Sequence, residues 1–283
     1  MHYTASPELI DALEVFVGPG VDDEQVDLVR ASLVIARTDY PGLDLESYAA
    51  RVEALARRVA ALVVDPSPRR TLAVLNKVLF EELQLRGNRE DYYDPRNSFL
   101  NDVLDRGLGI PITLSIVYKE VARRVGLPLS GVGMPGHFLL KHYGEDGQET
   151  LIDCFSRGDI LSRQDCQSRL DEIYSGEMQL RPEFLHPISH RQILTRMLSN
   201  LKTVYLSTRN FRKALTVADL VLVIHPHSPE DLKQRALLRY SLGLQRLAAE
   251  DLDEYLLASP AASDADDIRQ MSLSIRRMLA LMN

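Results

Sequence analysis

The 283-residue sequence lacks tryptophan and has only two cysteines. It also contains no apolar run of about 18 residues, the length that a membrane-spanning helix needs. Two cysteines cannot build a disulfide framework, and neither Cys154 nor Cys166 lies in a metal-ligand spacing. Residues 1–7 also lack the charged-then-apolar pattern of a secretory signal. These absences predict a cytoplasmic protein that has reduced thiols, no metal, no cofactor and no contact with a membrane.

The sequence also lacks an excess of basic residues. It has 33 lysines and arginines against 40 aspartates and glutamates, which gives a net charge of −7. Binding of nucleic acid needs a basic face that displaces counterions from phosphates. We therefore predict no nucleic-acid partner. A hydrophobic content of 45% is ordinary for globular proteins and, at this length, permits two domains with cores of their own.

Most of the first 85 residues show apolar positions at three- and four-residue steps, the pattern of amphipathic helices. The predicted helices cover residues 7–17, 22–37, 44–64 and 67–85. Ser67 is the predicted cap of the last one. The residues expected inside this helical lobe are Leu33, Val34, Ala50, Val52, Leu55, Val59, Leu72, Leu75, Leu79 and Phe80. Their role is packing, because apolar residues at helical spacing are mostly core.

A polar, aromatic loop at residues 87–95 precedes a helix predicted at 96–105, for which Asn97 or Ser98 is the expected cap. Loops often carry binding residues on rigid scaffolds, so this loop is a candidate cleft. The cleft candidates are Tyr92, Tyr93, Asp94 and Asn97. The structural alternative, in which these side chains tie the loop to the core, is favoured because Asp-Pro and Asn-Ser are common in turns and caps.

The stretch 109–155 changes from helical to strand periodicity. Pro111 suits the first turn of a helix, where no N–H is needed, and Gly126 followed by Pro128 ends that helix. Strands are predicted at 130–134, 137–143 and 149–153, with the turn residues 144–147 between the last two. This pattern indicates one buried helix followed by a small antiparallel sheet.

His137 and Asp153 occupy the last two of these strands, which a hairpin would place side by side. An imidazole beside a carboxylate is the base-and-orienter part of a nucleophilic triad. A structural histidine next to a turn carboxylate remains the alternative. Cys154 is expected to face away, because successive strand side chains point to opposite faces. Thr113 and Ser115 are weak candidate nucleophiles, since a hydroxyl at a helix start usually caps the backbone.

This order of helix, strand, histidine strand and aspartate strand resembles the transglutaminase-like branch of the papain-type fold. Gly126-Leu-Pro128 is similar to the Gly-Ile-Pro that closes the family's central helix, and His137 and Asp153 match its histidine and aspartate. The family opens that helix with Gly-x-Cys, which corresponds here to Gly109-Ile-Pro111. The resemblance therefore implies that proline occupies the place of the nucleophilic cysteine.

Four stretches give a narrower resemblance: residues 75–80, 87–88, 92–100 and 109–118. They look like a bacterial family of transglutaminase-like proteins with C-terminal tetratricopeptide repeats, whose members have been linked to invasion regulation and are otherwise poorly characterised. The resemblance covers about residues 31–260. It implies the architecture of the chain more strongly than its activity.

A repeat follows a connector at 156–187 that has one helix predicted at 162–174. An offset of 34 residues pairs Leu206 with Tyr240, Arg212 with Arg246, Ala214 with Ala248, Ala218 with Leu252, Leu222 with Leu256 and Pro226 with Pro260. This period is typical of tetratricopeptide helix pairs, and residues 264–281 read as their capping helix. Such pairs either bind peptides or brace the first domain, and bracing is favoured for an array this short.

The sequence thus predicts an α+β, mostly helical protein. Residues 1–185 hold the helical lobe and a transglutaminase-like core with a small antiparallel sheet, and residues 186–283 form an all-α tetratricopeptide domain. The favoured function is a non-catalytic or regulatory protein that binds a protein or peptide partner, because Pro111 replaces the thiol. The alternative is a papain-like acyl-transfer enzyme or hydrolase with His137 as base and Asp153 as orienter. No oligomeric state follows from the sequence.

Overall fold

The computed structural model describes residues 5–144 and 147–281. Packing divides them into two compact units. One is Val21–Met197, and the other combines the described parts of Met1–Gly20 and Leu198–Asn283. Compact units and functional domains need not coincide, so the predicted domains at 1–185 and 186–283 stay a prediction.

The elements of the described chain agree with the predicted α+β, mostly helical class. The α-helices are α1 (Pro7–Val17), α2 (Leu28–Ala36), α3 (Leu45–Leu62), α4 (Pro68–Asn76), α5 (Leu100–Arg106), α6 (Pro111–Arg124), α7 (Arg163–Tyr174), α8 (His190–Ser207), α9 (Phe211–Ile224), α10 (Pro229–Ser241), α11 (Gln245–Ala258) and α12 (Ala265–Leu281). The strands are β1 (Arg86–Gly87), β2 (Leu108–Gly109), β3 (Ser130–Val132), β4 (Leu139–Tyr143), β5 (Glu149–Asp153), β6 (Asp159–Leu161) and β7 (Pro187–Ile188). In the part of the chain that is described, no helix has the length and apolar character to cross a membrane.

The helical lobe follows the predicted periodicity with local differences. Helix α2 begins later than predicted, because Asp27 accepts the backbone N–H of Arg30 and thereby caps the helix there. Helix α4 continues as a π-helical segment over Lys77–Glu82, which helical spacing alone does not reveal. The expected core residues are buried except Ala50, which is exposed while its neighbour Ala49 packs inside.

The central helix α6 is buried from Pro111 to Ala122. Tyr118 of this helix is fully buried and stacks on Phe80, with ring centroids 5.7 Å apart. Beside it lies an antiparallel sheet with strand order β6-β5-β4-β3-β7, in which Leu140 pairs with Ile152. Strands β6 and β7 extend the three-stranded sheet that the sequence predicted. Residues 145–146 of the predicted turn lie outside the described residues.

The repeat prediction is confirmed in the second unit, where α9 and α11 have equal length and the predicted 34-residue offset. Equivalent positions have equivalent burial, since Ala214 and Ala248 are both fully buried. A buried ion-pair cluster lies between these helices and α10. Its members are Asp219, Arg235, Arg239 and Asp251.

Candidate functional site

His137 and Asp153 lie together at one end of the β4–β5 pair. His137, which the sequence placed on a strand, lies two residues before β4 at the end of a tight turn, where its backbone N–H donates to the carbonyl of Met134 at 3.1 Å. Asp153 ends β5 and is fully buried. The Nε2 atom of His137, a residue only 8% exposed, lies 3.1 Å from Oδ1 of Asp153. The two residues singled out from the sequence are therefore in direct contact.

The carboxylate of Asp153 has further partners that the sequence did not reveal. Its Oδ1 accepts the backbone N–H groups of Phe155 at 3.0 Å and Ser156 at 3.2 Å, and thereby caps the turn Cys154–Ser156. Its Oδ2 lies 2.8 Å from Nη2 of Arg169 in helix α7. No motif marks Arg169, because the contact depends on how α7 packs against the sheet.

Burial by itself would raise the pKa of Asp153. The contact with His137, the charges of His137 and Arg169 and the N–H of Ser156 oppose burial and leave the pKa of Asp153 below its ordinary value. The carboxylate is consequently ionised at neutral pH.

Pro111, at the position where the family resemblance expects a thiol, is the buried first residue of α6. The nearby hydroxyls have other roles. Thr113 Oγ1 accepts the N–H of Ile110 at 3.1 Å and donates to the carbonyl of Asn97 at 2.8 Å, and Ser115 is fully buried beside Cys154. Within the described chain, no hydroxyl or thiol forms a hydrogen bond with the His137 imidazole.

Cys154 follows Asp153 in sequence, but its thiol lies against α6. It is fully buried, contacts Ser115 and lies near Tyr118. Burial raises the pKa of Cys154 far above its ordinary value and also raises that of Cys166, which packs in the apolar cluster between α7 and the sheet. Neither thiol is therefore suited to act as a thiolate nucleophile.

The loop before α5 places its four cleft candidates in two environments. Asn97 is fully buried, and its amide donates to the carbonyls of Asp91 at 2.7 Å and Tyr92 at 3.2 Å. Asp94 is buried and accepts the N–H of Arg96, so it caps the short 3-10 turn Pro95–Ser98. The helix predicted at 96–105 begins only at Leu100 and has no side-chain cap, so neither Asn97 nor Ser98 is its cap. Tyr92 and Tyr93 lie at the surface and are 38% and 64% exposed.

An aromatic cluster connects this loop with the histidine. The ring of Phe155 lies edge-to-face with His137 at 6.2 Å and with Tyr92 at 6.1 Å between centroids. It also lies directly against the backbone of Gly87, where any Cβ would come within 2.4 Å of the ring. Glycine is therefore required for this packing.

Two cavities flank the β4–β5 pair. The one beside Phe155 has a volume of about 480 Å³. It is lined by Arg86, Gly87, Arg89, Phe155, Ser156, Arg157 and Asp159. The larger, of about 1120 Å³, lies near the opposite strand ends, includes His142 and Asn76, and contains none of the predicted site residues. Among the described residues, no group of three histidine, cysteine or acidic side chains is arranged to hold a metal ion.

Comparison with known proteins places this geometry in context. Residues 46–199 match the transglutaminase-like superfamily, and residues 201–272 match the tetratricopeptide repeat. The UPF0162 protein of Xylella fastidiosa (strain 9a5c) is 39% identical over 254 residues, which are 88% of this chain and 90% of that protein. The UPF0162 protein of Vibrio cholerae is 26% identical over 240 residues, 84% of this chain and 88% of that protein.

A similarity also extends to a eukaryotic protein. F-box only protein 21 of Mus musculus is 30% identical over 183 residues, which cover 61% of this chain and 28% of that protein. No solved structure matches the chain significantly.

Proposed function

The chain belongs to the transglutaminase-like superfamily, as a UPF0162-type protein with C-terminal tetratricopeptide repeats, and from this premise we propose that it is a non-catalytic, regulatory protein that binds a protein or peptide partner in the cytoplasm. One observation carries the proposal: among the described residues, no hydroxyl or thiol forms a hydrogen bond with the imidazole of His137. Pro111 has no reactive side-chain group, and the hydroxyl of Thr113 forms its hydrogen bonds with backbone groups of Ile110 and Asn97.

The partners of Asp153 support a structural role for the pair. One carboxylate holds the turn after β5, helix α7 through Arg169, and His137 before β4. In a catalytic triad the carboxylate mainly orients the histidine and stabilises the imidazolium. Here the Asp153 carboxylate also links the turn after β5, helix α7 and the segment before β4. A non-catalytic protein therefore has a structural use for this carboxylate.

The repeats support partner binding. Tetratricopeptide helix pairs stack into surfaces that bind extended peptides. Leu206 and Tyr240 occupy equivalent repeat positions and are 40% and 43% exposed. These exposed apolar side chains are available to a bound peptide.

An activity assay tests the proposal. Purified full-length protein is incubated with a glutamine-containing protein and a labelled amine, and separately with unfolded protein substrates for peptide-bond hydrolysis. We expect no turnover above the level of the His137→Ala variant. Turnover that the His137→Ala substitution abolishes would show that the protein is an enzyme.

An acyl-transfer or hydrolytic enzyme is the second candidate function. Its support is that Nδ1 of His137 has no hydrogen-bond partner among the described residues, while Nε2 faces an ionised carboxylate. A histidine in this arrangement could act as a general base for a water molecule. The same assay separates the two functions, because only the enzyme loses turnover with the histidine.

A further inference from the structure

The cavity beside Phe155 has three arginines and one aspartate in its lining, so its net charge is positive. Arg86, Arg89 and Arg157 all line it, and within the described chain none of the three forms an ion pair. All three are exposed, in contrast to Arg235 and Arg239, which are largely buried and pair with Asp251. Three like charges around one cavity repel each other, and an anion placed among them would be stabilised.

The hydroxyl of Ser156 adds a further donor to this lining. Its Oγ accepts from Nη2 of Arg169 at 2.9 Å and from Nη2 of Arg89 at 3.3 Å. A serine hydroxyl has two acceptor sites and one proton, so a hydroxyl whose acceptor sites are both used still has its proton to donate. Guanidinium groups and this O–H together form a set of donors that is complementary to an oxyanion.

The position of Arg89 is held before any ligand arrives. Its guanidinium carbon lies 4.8 Å from the centroid of the Phe155 ring, within the range of a cation–π contact. The ring is fixed in turn against Gly87, which leaves no room for a side chain. A donor that is already in place loses less conformational entropy when it binds.

We propose that this cavity, lined by Arg86, Arg89, Ser156 and Arg157, binds a carboxylate or phosphoryl group carried by an acidic peptide. The inference rests on the proposed function, since the peptide is part of the partner protein. Arginine forks match both oxyanions in bidentate geometry, and arginine clusters are a common means of recognising acidic and phosphorylated motifs. A volume of about 480 Å³ has room for such a group together with neighbouring peptide atoms. Three arginines in a chain of net charge −7 do not make a nucleic-acid surface.

Asp159 is the acidic side chain of this lining. It is exposed and forms no ion pair among the described residues. Its negative charge opposes an incoming anion, so the substitution Asp159→Asn is expected to strengthen binding. A gain of affinity in this variant could not be explained by damage to the fold, because damage would weaken binding.

The test is a titration of the full-length protein followed by amide NMR shifts of Gly87, Phe155 and Ser156. The probes are N-acetyl-phosphoserine amide, N-acetyl-glutamate amide and N-acetyl-glutamine amide. We expect saturable shifts with the two anionic probes and none with the neutral glutamine probe. The tighter of the two anionic probes identifies the phosphoryl or the carboxylate group as the preferred one.

Charge-reversed variants complete the test. The double substitution Arg86→Glu with Arg157→Glu is expected to weaken binding at least tenfold, and Asp159→Asn to strengthen it severalfold. The matched control reverses two exposed arginines outside the cavity, Arg57→Glu with Arg277→Glu, and is expected to bind as the natural protein does. Equal losses in both double variants would overturn the proposal, because they would show a general charge effect.

The failure of this inference differs from the failure of the proposed function. Anionic probes that shift none of the three amides remove the oxyanion site and leave the non-catalytic assignment as it stands. Turnover that depends on His137 removes the non-catalytic assignment, whatever the cavity binds.

Discussion

Arg169 and Asp153 form an ion pair in which Nη2 lies 2.8 Å from Oδ2, while the other carboxylate oxygen lies 3.1 Å from Nε2 of His137. The aspartate therefore lies between the guanidinium of Arg169 and the imidazole of His137. In a simple histidine–aspartate pair the whole charge of the carboxylate would stabilise an imidazolium. Here the guanidinium already balances part of that charge, which agrees with the structural role proposed for the pair.

Replacing Asp153 by Asn should destabilise the protein by about 3 kcal/mol, because removal of one member leaves the other charge of a buried pair without its partner. The measurement is the free energy of unfolding in urea, with circular dichroism as the signal. Asp159→Asn is the matched control, since that carboxylate is exposed and forms no ion pair among the described residues. Similar losses in the two variants would contradict the structural role of the buried carboxylate.

The same carboxylate predicts a pH dependence. The pKa of Asp153 is lower in the folded protein than its ordinary value of 3.8. The unfolded chain therefore binds the proton more readily, and the stability that Asp153 contributes is fully present above that ordinary value. It is lost as the pH falls from about 3.8 through the lower folded-state value. Unfolding curves from pH 6 to pH 2 should converge for the natural protein and Asp153→Asn at the acid end.

The sequence predicted the parts of this site that depend on local chemistry. Pro111 and Gly126 mark the start and the stop of the central helix, and alternation located His137 and Asp153 near the ends of neighbouring strands. Arg169 was not predicted, because its role depends on the packing of α7 against β5 and has no local pattern. Ala50 was misplaced for a related reason. Alanine is tolerated on either face of α3, so composition does not determine its orientation.

Gly87→Ala should lower the free energy of unfolding by about 2 kcal/mol, because the new Cβ would overlap the fixed ring of Phe155. Gly42→Ala is a suitable comparison, since nothing lies within 4 Å of a Cβ placed there. The control should be neutral within about 0.5 kcal/mol. If Gly87→Ala proves equally neutral, the ring of Phe155 must be free to move away.

In the repeat unit, Asp251→Asn is expected to cost about 3 kcal/mol, because Asp251 is the shared partner of Arg235 and Arg239 and is almost completely buried. The contrast is Glu250→Gln, which breaks an exposed pair with Arg246 and should cost less than about 0.5 kcal/mol. Chemical denaturation of both variants measures the difference. Equal costs would show that the cluster between the helices contributes no more than a surface pair.

Pro111→Cys tests whether this position still faces an activating environment. A thiol at the start of α6, a position that the family resemblance puts beside His137, should have a pKa below the ordinary value of about 8.5. Position 111 is buried, so access limits the rate, and we expect iodoacetamide at pH 7 to modify this thiol measurably while it leaves Cys154 and Cys166, whose pKa values burial raises, unmodified. Peptide mass spectrometry measures the rates.

The control for this experiment combines Pro111→Cys with His137→Ala. Loss of the histidine should slow the modification markedly. A rate that is unchanged in the double variant would show that the imidazole does not reach position 111, and the correspondence of Pro111 with the family's cysteine would then be wrong.

The π-helical segment Lys77–Glu82 buries more of its side chains in the helical lobe than an α-helix of the same length could. Three successive residues, Val78, Leu79 and Phe80, are all buried. An α-helix would spread three successive side chains over about 200° of its circumference. A π-turn closes over more residues, so it narrows that spread and directs all three toward the interior. The wider turn thereby places the Phe80 ring against Tyr118 of the central helix. Deletion of one residue from this segment would rotate the Phe80 side chain away from the core.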